Sequence, residues 1–433
     1  MRIDEIFNFE KGVLQSSKCV PGEYDFITAS SDWKTHSEYT HDCEALIFAA
    51  AASGSLGRTH YVNGKFISSD LCFIITPKDQ ENLPVDLKFY HILFNELKDE
   101  IVRNTKAGTS KEAIGLGSFG KYKLPYFDID TQIEIKNRFV NAEELKSELS
   151  SELLSQVDLV KKLRQQLLQD AIQGKLVEQN PKDEPARELL KKIKAEKEKL
   201  ITEKKLKKEK ELPPIKPEEI PFEIPENWVW CRLGEILTEI KYGTSQSCDY
   251  DHTKNSKVLR IPNVSTGVLD GEDLKYTNLS EKEISELALE KDDILIIRSN
   301  GSRELVGRPV LVTPEFIGFA YAGYLVRFRF DKELTNPRYL LTATTAPFFR
   351  GLIETPLRTT VGINNINTQE MSNLFIPLPP LTEQNRIVQK LDELIQYCNE
   401  LEASIKQSES QNEKLIQQVL REALRKEPVE EEV

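Results

Sequence analysis

Residues 124–172 align with residues 376–424 without a gap, 252 positions apart. Pro125 falls on Pro377, Gln132 on Gln384 and Ile135 on Ile387. Further along, Gln165-Gln166-Leu167-Leu168 falls on Gln417-Gln418-Val419-Leu420, and Ala171 on Ala423. Each copy follows a segment of different character, so the chain is limited to one plan: head, rod, head, rod.

The heads and rods differ in periodicity. Residues 1–123 hold short strand-like runs (YDFITAS, EALIFAAA, RTHYV, GKFISS, DLCFIIT) between Gly, Asp, Asn and Ser. Residues 124–212 read as helix, with a polar break at QNPKDEPA before a Lys/Glu helix. Residues 213–375 open with ELPPIKPEEIPFEIPENW and return to strand-like runs (KVLRIPNVS, DDILIIRS, RPVLVT, GYLVRFRF), and residues 376–433 are again helical. The class is α+β. The heads echo each other weakly: RIDEIF (2–7) against RLGEIL (232–237), FEKG (9–12) against IKYG (240–243) with one residue of slippage, and SGSLGR (53–58) against NGSRELVGR (300–308).

Both rods carry a seam at alternating steps of four and three, the heptad spacing of paired helices. In the second copy it runs Ile387, Leu391, Leu394, Cys398, Leu401, Ile405, then Leu415 and Val419, interrupted by Ser408 and Asn412. The first copy gives Ile135, Phe139, Ala142, Lys146, Leu149, Leu153, Val160, Leu163 and Leu167, with a polar step at Gln156. The two copies are expected to pair within one chain. A helix of roughly 40 residues would hold the heads on the order of 60 Å apart; an ordinary helical hairpin without a spacing role is the alternative.

The net charge is −12, which by itself argues against phosphate binding, although Lys191 to Glu211 holds ten Lys against five Glu. The start, MRIDEIFNFEK, does not read as a secretory signal, and the longest apolar run, Ala45–Ala52, is too short for a bilayer. The six cysteines have no C-x-x-C spacing and read as thiols of a reducing cytoplasm. No P-loop and no H-E-x-x-H occur. The glycines Gly115, Gly117 and Gly120 match G-x-G-x-x-G, but KYKLPYF follows where a dinucleotide site needs a helix, so they read as a turn or a DNA-facing loop. Neither Pro-Pro pair follows Asn or Asp, as an amino-methyltransferase motif would require. His36, His41, His60, His91 and His252 show no hydrolase spacing, although His60 and His252 sit in polar stretches that could meet a ligand.

The positive signals lie in head loops. IIRSNGSRELVGR places Arg298, Asn300, Ser302, Arg303 and Arg308 in quick order. Arg forks onto guanine and Asn pairs with adenine in the major groove, while Gly301 and Gly307 would admit a phosphate backbone. LRTTVGINNIN adds Arg358, Thr359, Thr360 and Asn364, and KYGTSQS adds Lys241, Thr244 and Gln246. The first-head counterparts are Lys11 and Gln15, then Ser53, Ser55 and Arg58, then Thr109, Ser110 and Lys111. The bland reading is polar turns.

IPLPPLTEQNRIVQKLDELI (376–395) resembles the start of the conserved helix in specificity subunits of Type I restriction–modification enzymes. Residues 171–201 and 211–237 resemble that family's central conserved region leading into a second target-recognition domain, and the likeness covers nearly the whole chain. It implies a first target-recognition domain over 1–123, a central helical region over 124–212, a second target-recognition domain over 213–375 and a distal helical region over 376–433. The two long helices would form an antiparallel intramolecular coiled coil with pseudo-two-fold symmetry. Each head would read half of a split sequence on double-stranded DNA. The chain would be non-catalytic and hold no cofactor. Two modification subunits, binding S-adenosylmethionine, and ATP-dependent restriction subunits would dock on it, with Mg also expected there; the setting would be a bacterial or archaeal cytoplasm, with no membrane. The first head lacks the IPENWVWC lead-in, and YFDIDTQIEI keeps only part of the LPPLTEQNRI pattern. A coiled-coil adaptor with two protein-binding heads is the other reading, supported by the acidic charge; a self-contained methyltransferase fusion fails on length and motifs.

Overall fold

The computed structural model describes residues 1–51, 54–107, 113–206, 211–360 and 362–423. They form two compact units: Met1–Leu154 together with the chain from Lys406 onward, and Ser155–Ile405.

In the first unit a one-turn helix, α1 (Ile3–Ile6), leads into a sheet of β1 (Phe7–Lys11), β2 (Tyr24–Ile27), β3 (Lys34–His36), β4 (His41–Ala49), β5 (Thr59–Ser68) and β6 (Cys72–Pro77). The strand order is β1-β6-β4-β5-β2-β3. RTHYV and GKFISS, expected as two strands, make the single strand β5, which passes through Gly64 at a φ of 119°. The central β4 is covered on both faces, so every residue from Ala45 to Ala49 is buried. Helix α2 (Leu87–Glu96) brings Tyr90 and Phe94 onto Phe7, Phe48, Phe73 and Phe119, with the Phe48 and Phe119 rings 4.6 Å apart. Each ring so buried contributes about 1.5–3 kcal/mol. The Gly115–Gly120 stretch is structural: Leu116–Gly120 is a short helix, and a Cβ on Gly120 would meet the Phe9 ring at 2.7 Å.

Two helices follow, α3 (Ile129–Ile172) and α4 (Ala186–Thr202). The second head then runs β7 (Val229–Arg232), α5 (Leu233–Ile236), β8 (Leu237–Tyr242), β9 (Ser256–Leu259), β10 (Lys275–Thr277), β11 (Ile294–Ile297), β12 (Pro309–Leu311), β13 (Ala320–Tyr321), β14 (Leu325–Phe330), α6 (Pro337–Thr345), β15 (Phe375–Leu378) and α7 (Leu381–Ala423). The main sheet is β8-β14-β11-β12, and β10-β9-β13 forms a second. The run DDILII becomes β11, which feeds two cores at once: Ile294 and Ile296 enter one cluster, Leu295 and Ile297 the other. Residues 376–378, expected as helix, are strand: β15 pairs with β7, and Pro379-Pro380 delay α7 to Leu381.

The heads share one backbone frame. Ala49 N–H donates to Arg58 O and Gly57 N–H to Ala49 O; likewise Ile297 N–H donates to Arg308 O and Gly307 N–H to Ile297 O. Gln132 and Gln384 are both fully buried. Gln132 Oε1 accepts from the backbone N–H of Asp86, the N-cap of α2, and Gln384 Oε1 accepts from that of Asn336, the N-cap of α6. The 252-residue spacing between these glutamines therefore marks where each long helix clamps a helix of its own head.

The long helices α3 and α7 pair in both units. In the first, Asn412, buried, approaches Lys146 O and Ser150 Oγ at 3.5 Å; in the second, Arg164 donates to Asn399 Oδ1 (2.8 Å) and Glu402 (3.0 Å). Positions rise along one helix as they fall along the other, the antiparallel sense. Leu153, Val160, Leu391, Cys398 and Ile405 are buried, while Leu167 and Leu394 are half-buried. Four expected seam leucines are not covered: Leu149, Leu163, Leu401 and Leu415 are 43–56% exposed. On α3 the half-buried positions fall on Ser150 and Arg164 instead. A 3.6-residue helix drifts by roughly 20° per heptad from a strict seven-residue repeat, so one leucine row slides to the flank. Ile387 belongs to the core of the second head rather than to a seam, and Ile135 to that of the first. The Val419 side chain lies outside the described residues.

Glu383, of the LTEQ turn, is buried and accepts from Gln179 Nε2. Burial pushes its carboxyl above the ordinary value of 4.5, although Gln179 partly offsets this. The fold thus favours the protonated form, and stability is lost as pH rises from 4.5 through the folded value. Glu383→Gln is expected to raise the unfolding temperature relative to the parent, by a margin that widens from pH 5 to pH 8 in thermal scans; a constant margin would count against this.

Candidate nucleic-acid interface

The second head carries a groove of about 590 Å³ lined by Thr244, Gln246, Arg260, Lys275, Arg298 and Tyr324 among others. Its floor is built where β8 ends. Gly243 approaches the backbone so closely that a Cβ would lie 2.1 Å from Tyr321 O and 2.4 Å from Ala322 O. The same contact recurs at Gly12, whose Cβ would lie 2.2 Å from Ser69 O. Beyond each glycine the chain makes an isolated parallel bridge, Thr244 with Ala322 and Leu14 with Ser69.

Arg298 leaves the end of β11 into this groove. Its backbone N–H donates to Tyr324 O, its carbonyl accepts from Ile366 N–H, and its Nε donates to Gly323 O at 2.8 Å. The guanidinium lies over the Tyr242 ring, 4.7 Å from the centroid. Among the described residues neither terminal nitrogen has an acceptor. Arg260 is tied to Asp273 through Nη2 (2.7 Å to Oδ2). A hydrogen bond from Tyr250 and the Arg260 pair hold the Asp273 carboxyl below its usual value. Lys275 Nζ sits 4.8 Å from the Tyr250 ring centroid. The groove is therefore cationic and edged by aromatic rings, which suits phosphates and base faces.

The loop residues singled out from sequence divide by what they touch. Thr244, Gln246 and Arg298 line the groove together. Lys241 instead pairs with Glu286 (2.8 Å). Arg308 donates to Ser265 O, and its counterpart Arg58 to Ala29 O and Ser55 Oγ, so both tie neighbouring loops. Arg303 reaches Glu354 O, and Asn300 accepts from Ser302 N–H. Asn364 is buried and donates to Gly301 O, joining the short strands Ser299–Asn300 and Ile363–Asn365. Gly307 serves packing rather than phosphate approach, since a Cβ there would meet Ile353 Cδ1 at 2.3 Å. Arg358, Thr359 and Thr360 form a strand whose side chains are outside the described residues, as are Ser53, Thr109, Ser110 and Lys111 entirely. In the first head Lys11 and Gln15 are exposed at and just beyond the end of β1.

Sequence reading missed Arg260, Lys275, Tyr242 and Tyr324. Arg260 lay inside the strand-like run KVLRIPNVS and Lys275 outside every run singled out, and the signal available was the aromatic residues near them, Tyr250 and Tyr276. A larger cleft, about 780 Å³, opens in the first head between Trp33, His60, His91, Phe139 and Val140. His60 Nδ1 accepts from Trp33 Nε1 and burial lowers the imidazole pKa; Lys88 and Lys136 line the cleft together with Glu143 and Glu144, so its charges balance. His252 packs against Tyr276. No cluster of three or more potential metal ligands occurs among the described residues, and none of their helices is long and apolar enough to cross a membrane.

A family model described as the Type I restriction modification DNA specificity domain matches residues 1–159 and 225–408. The chain is 35% identical over 245 residues to the Type I restriction enzyme EcoAI specificity subunit of Escherichia coli, an alignment covering 56% of this chain and 41% of that one. It is 30% identical over 262 residues to the EcoEI specificity subunit of E. coli, covering 57% and 42%. The chain thus spans about two-fifths of the length of these curated relatives. In fold it is similar to the HsdS subunit from Thermoanaerobacter tengcongensis, with a TM-score of 0.54 at 17% identity over 98% of this chain and 96% of that one.

Proposed function

The chain belongs to the Type I restriction modification DNA specificity family, and from that premise we propose that it reads a split DNA sequence, one half with each head, for a Type I restriction–modification complex. One observation carries the reading: the same hydrogen-bonded frame is built twice and dressed with different side chains, as two readers of different half-sites require. The cationic groove of the second head supports direct readout of base edges. Methyl transfer and cleavage fall to partner subunits, which bring S-adenosylmethionine, ATP and Mg. With a net charge of −12, this chain relies on modification subunits for many phosphate contacts.

The helices support docking of those subunits. In the first unit α3 exposes Leu145 and Leu149, and in the second Leu159 and Leu163, all at helical spacings that keep them on one side of α3. Apolar side chains left uncovered in a row mark a protein contact. Leu145→Glu combined with Leu159→Glu is expected to abolish co-purification of the modification subunit while leaving the unfolding temperature of the isolated chain unchanged. Retained co-purification would reject this face. The function is tested by methylome sequencing with the gene present and deleted. A split, adenine-methylated motif that disappears on deletion supports the reading, and an unchanged methylome overturns it.

A further inference from the structure

The two heads differ at one defined slot in their shared frame. In the second head the slot is Arg298, with its N–H on Tyr324 O and its carbonyl receiving Ile366 N–H. In the first head Ala50 makes the equivalent pair: its N–H donates to Leu71 O and its carbonyl receives Ile114 N–H. The strand alongside shows the same substitution in reverse. Tyr242 pairs with Val326, and Lys11 pairs with Phe73, at matching ends of β8 and β1. So Lys11 corresponds to Tyr242 and not to Lys241, the one-residue slippage between FEKG and IKYG. One head presents an arginine lying on a tyrosine; the other presents an alanine beside a lysine.

Building on the proposed function, we infer that Arg298 selects a guanine in the half-site read by the second head, and that the first head, with Ala50 in that slot, makes no such demand. The argument is one of donors and geometry. Nε is held by Gly323 O, and the plane rests on Tyr242. What remains is a fork of two donors, fixed in direction, with no acceptor among the described residues. Guanine alone presents two acceptors, N7 and O6, on its major-groove edge; adenine and cytosine offer a donor there, and thymine one acceptor beside a methyl group. A phosphate also accepts a fork, and the two contacts differ in what they predict: a base contact is lost at one base pair, a phosphate contact evenly across sequences. Lys275, a point charge suited to phosphate, lines the same groove.

The test uses the chain assembled with its modification subunit. Arg298→Ala and Arg298→Lys are compared with the parent by methylome sequencing and by binding to duplexes in which each base pair of the motif is replaced in turn. The expected result is a roughly ten- to hundred-fold loss of preference for one G·C pair in one half-site. The other half-site stays intact, and Arg298→Lys behaves like Arg298→Ala because an ammonium keeps the charge but not the fork. Three outcomes overturn the inference while leaving the functional reading standing: an unchanged motif; losses in both half-sites; or weakening uniform across sequences with a salt slope smaller by about one, the mark of a phosphate contact. If deleting the gene leaves the methylome unchanged, the functional reading fails, and this inference with it.

Discussion

Gly243→Ala will unseat the groove of the second head. The added methyl would sit 2.1 Å from Tyr321 O and 2.4 Å from Ala322 O, both backbone atoms that cannot rotate away. Relief requires β8 to separate from the Tyr321–Gly323 turn. That separation breaks the hydrogen bonds of Thr244 N–H to Tyr321 O (2.8 Å) and of Gly323 N–H to Thr244 O (2.7 Å). Overpacking of this kind costs about 1–3 kcal/mol, occasionally more, and the lost hydrogen bonds add to it. Because Gly323 O also anchors the Arg298 fork, recognition should suffer beyond what stability explains. Gly12→Ala, with a Cβ 2.2 Å from Ser69 O, is the same lesion in the other head. Urea unfolding and methylome sequencing should show each variant destabilised and each impaired at a different half-site. Unchanged unfolding in either variant, or impairment at the same half-site by both, would refute the shared frame.

Asp293→Ala is expected to be the more destabilising change. Asp293 is fully buried at the foot of β11 and receives Arg329 through Nε (2.9 Å) and Nη2 (2.6 Å), as well as Glu290 N–H (2.9 Å). Arg327, 1% exposed, lies 4.0 Å away and also pairs with Glu239. Two arginines side by side on β14 are tolerable only with these carboxylates between and beside them. Removing Asp293 takes away the fully buried carboxylate between the two arginines and leaves Arg327 to Glu239 and Arg329 to Glu290, a loss of about 3 kcal/mol, the low end for a broken buried pair. Asp293→Asn, which keeps shape and some hydrogen bonding, should fall between. A denaturation midpoint for Asp293→Ala equal to that of the parent would show that the network carries no stability. Since β11 runs from this network to Arg298, the second head should also lose its half-site before the first does.

Much of the architecture was legible because period and repetition are properties of the chain alone. The spacing of Gln132 and Gln384 announced a duplicated helix, and the apolar runs DLCFIIT and DDILII announced strands. Turn chemistry separated them. The candidate site was only partly legible. Arg298, Asn300, Arg303 and Arg308 look equivalent on a line, yet one is held open on a tyrosine and the other three bind neighbouring loops or backbone. For the three arginines that distinction depends on which carbonyls lie within reach, and those come from residues 25 to 51 positions away, Gly323, Ser265 and Glu354.

By itself the sequence determined the plan of two unlike heads, each followed by a long helix, because local periodicity and duplication need no tertiary contact to be expressed. Only the tertiary structure decided which leucines the helix pair covers, since the drift of a 3.6-residue helix against a heptad accumulates along the pairing. It alone matched Ala50 with Arg298, because frame equivalence is carried by backbone hydrogen bonds that leave no mark in side-chain identity.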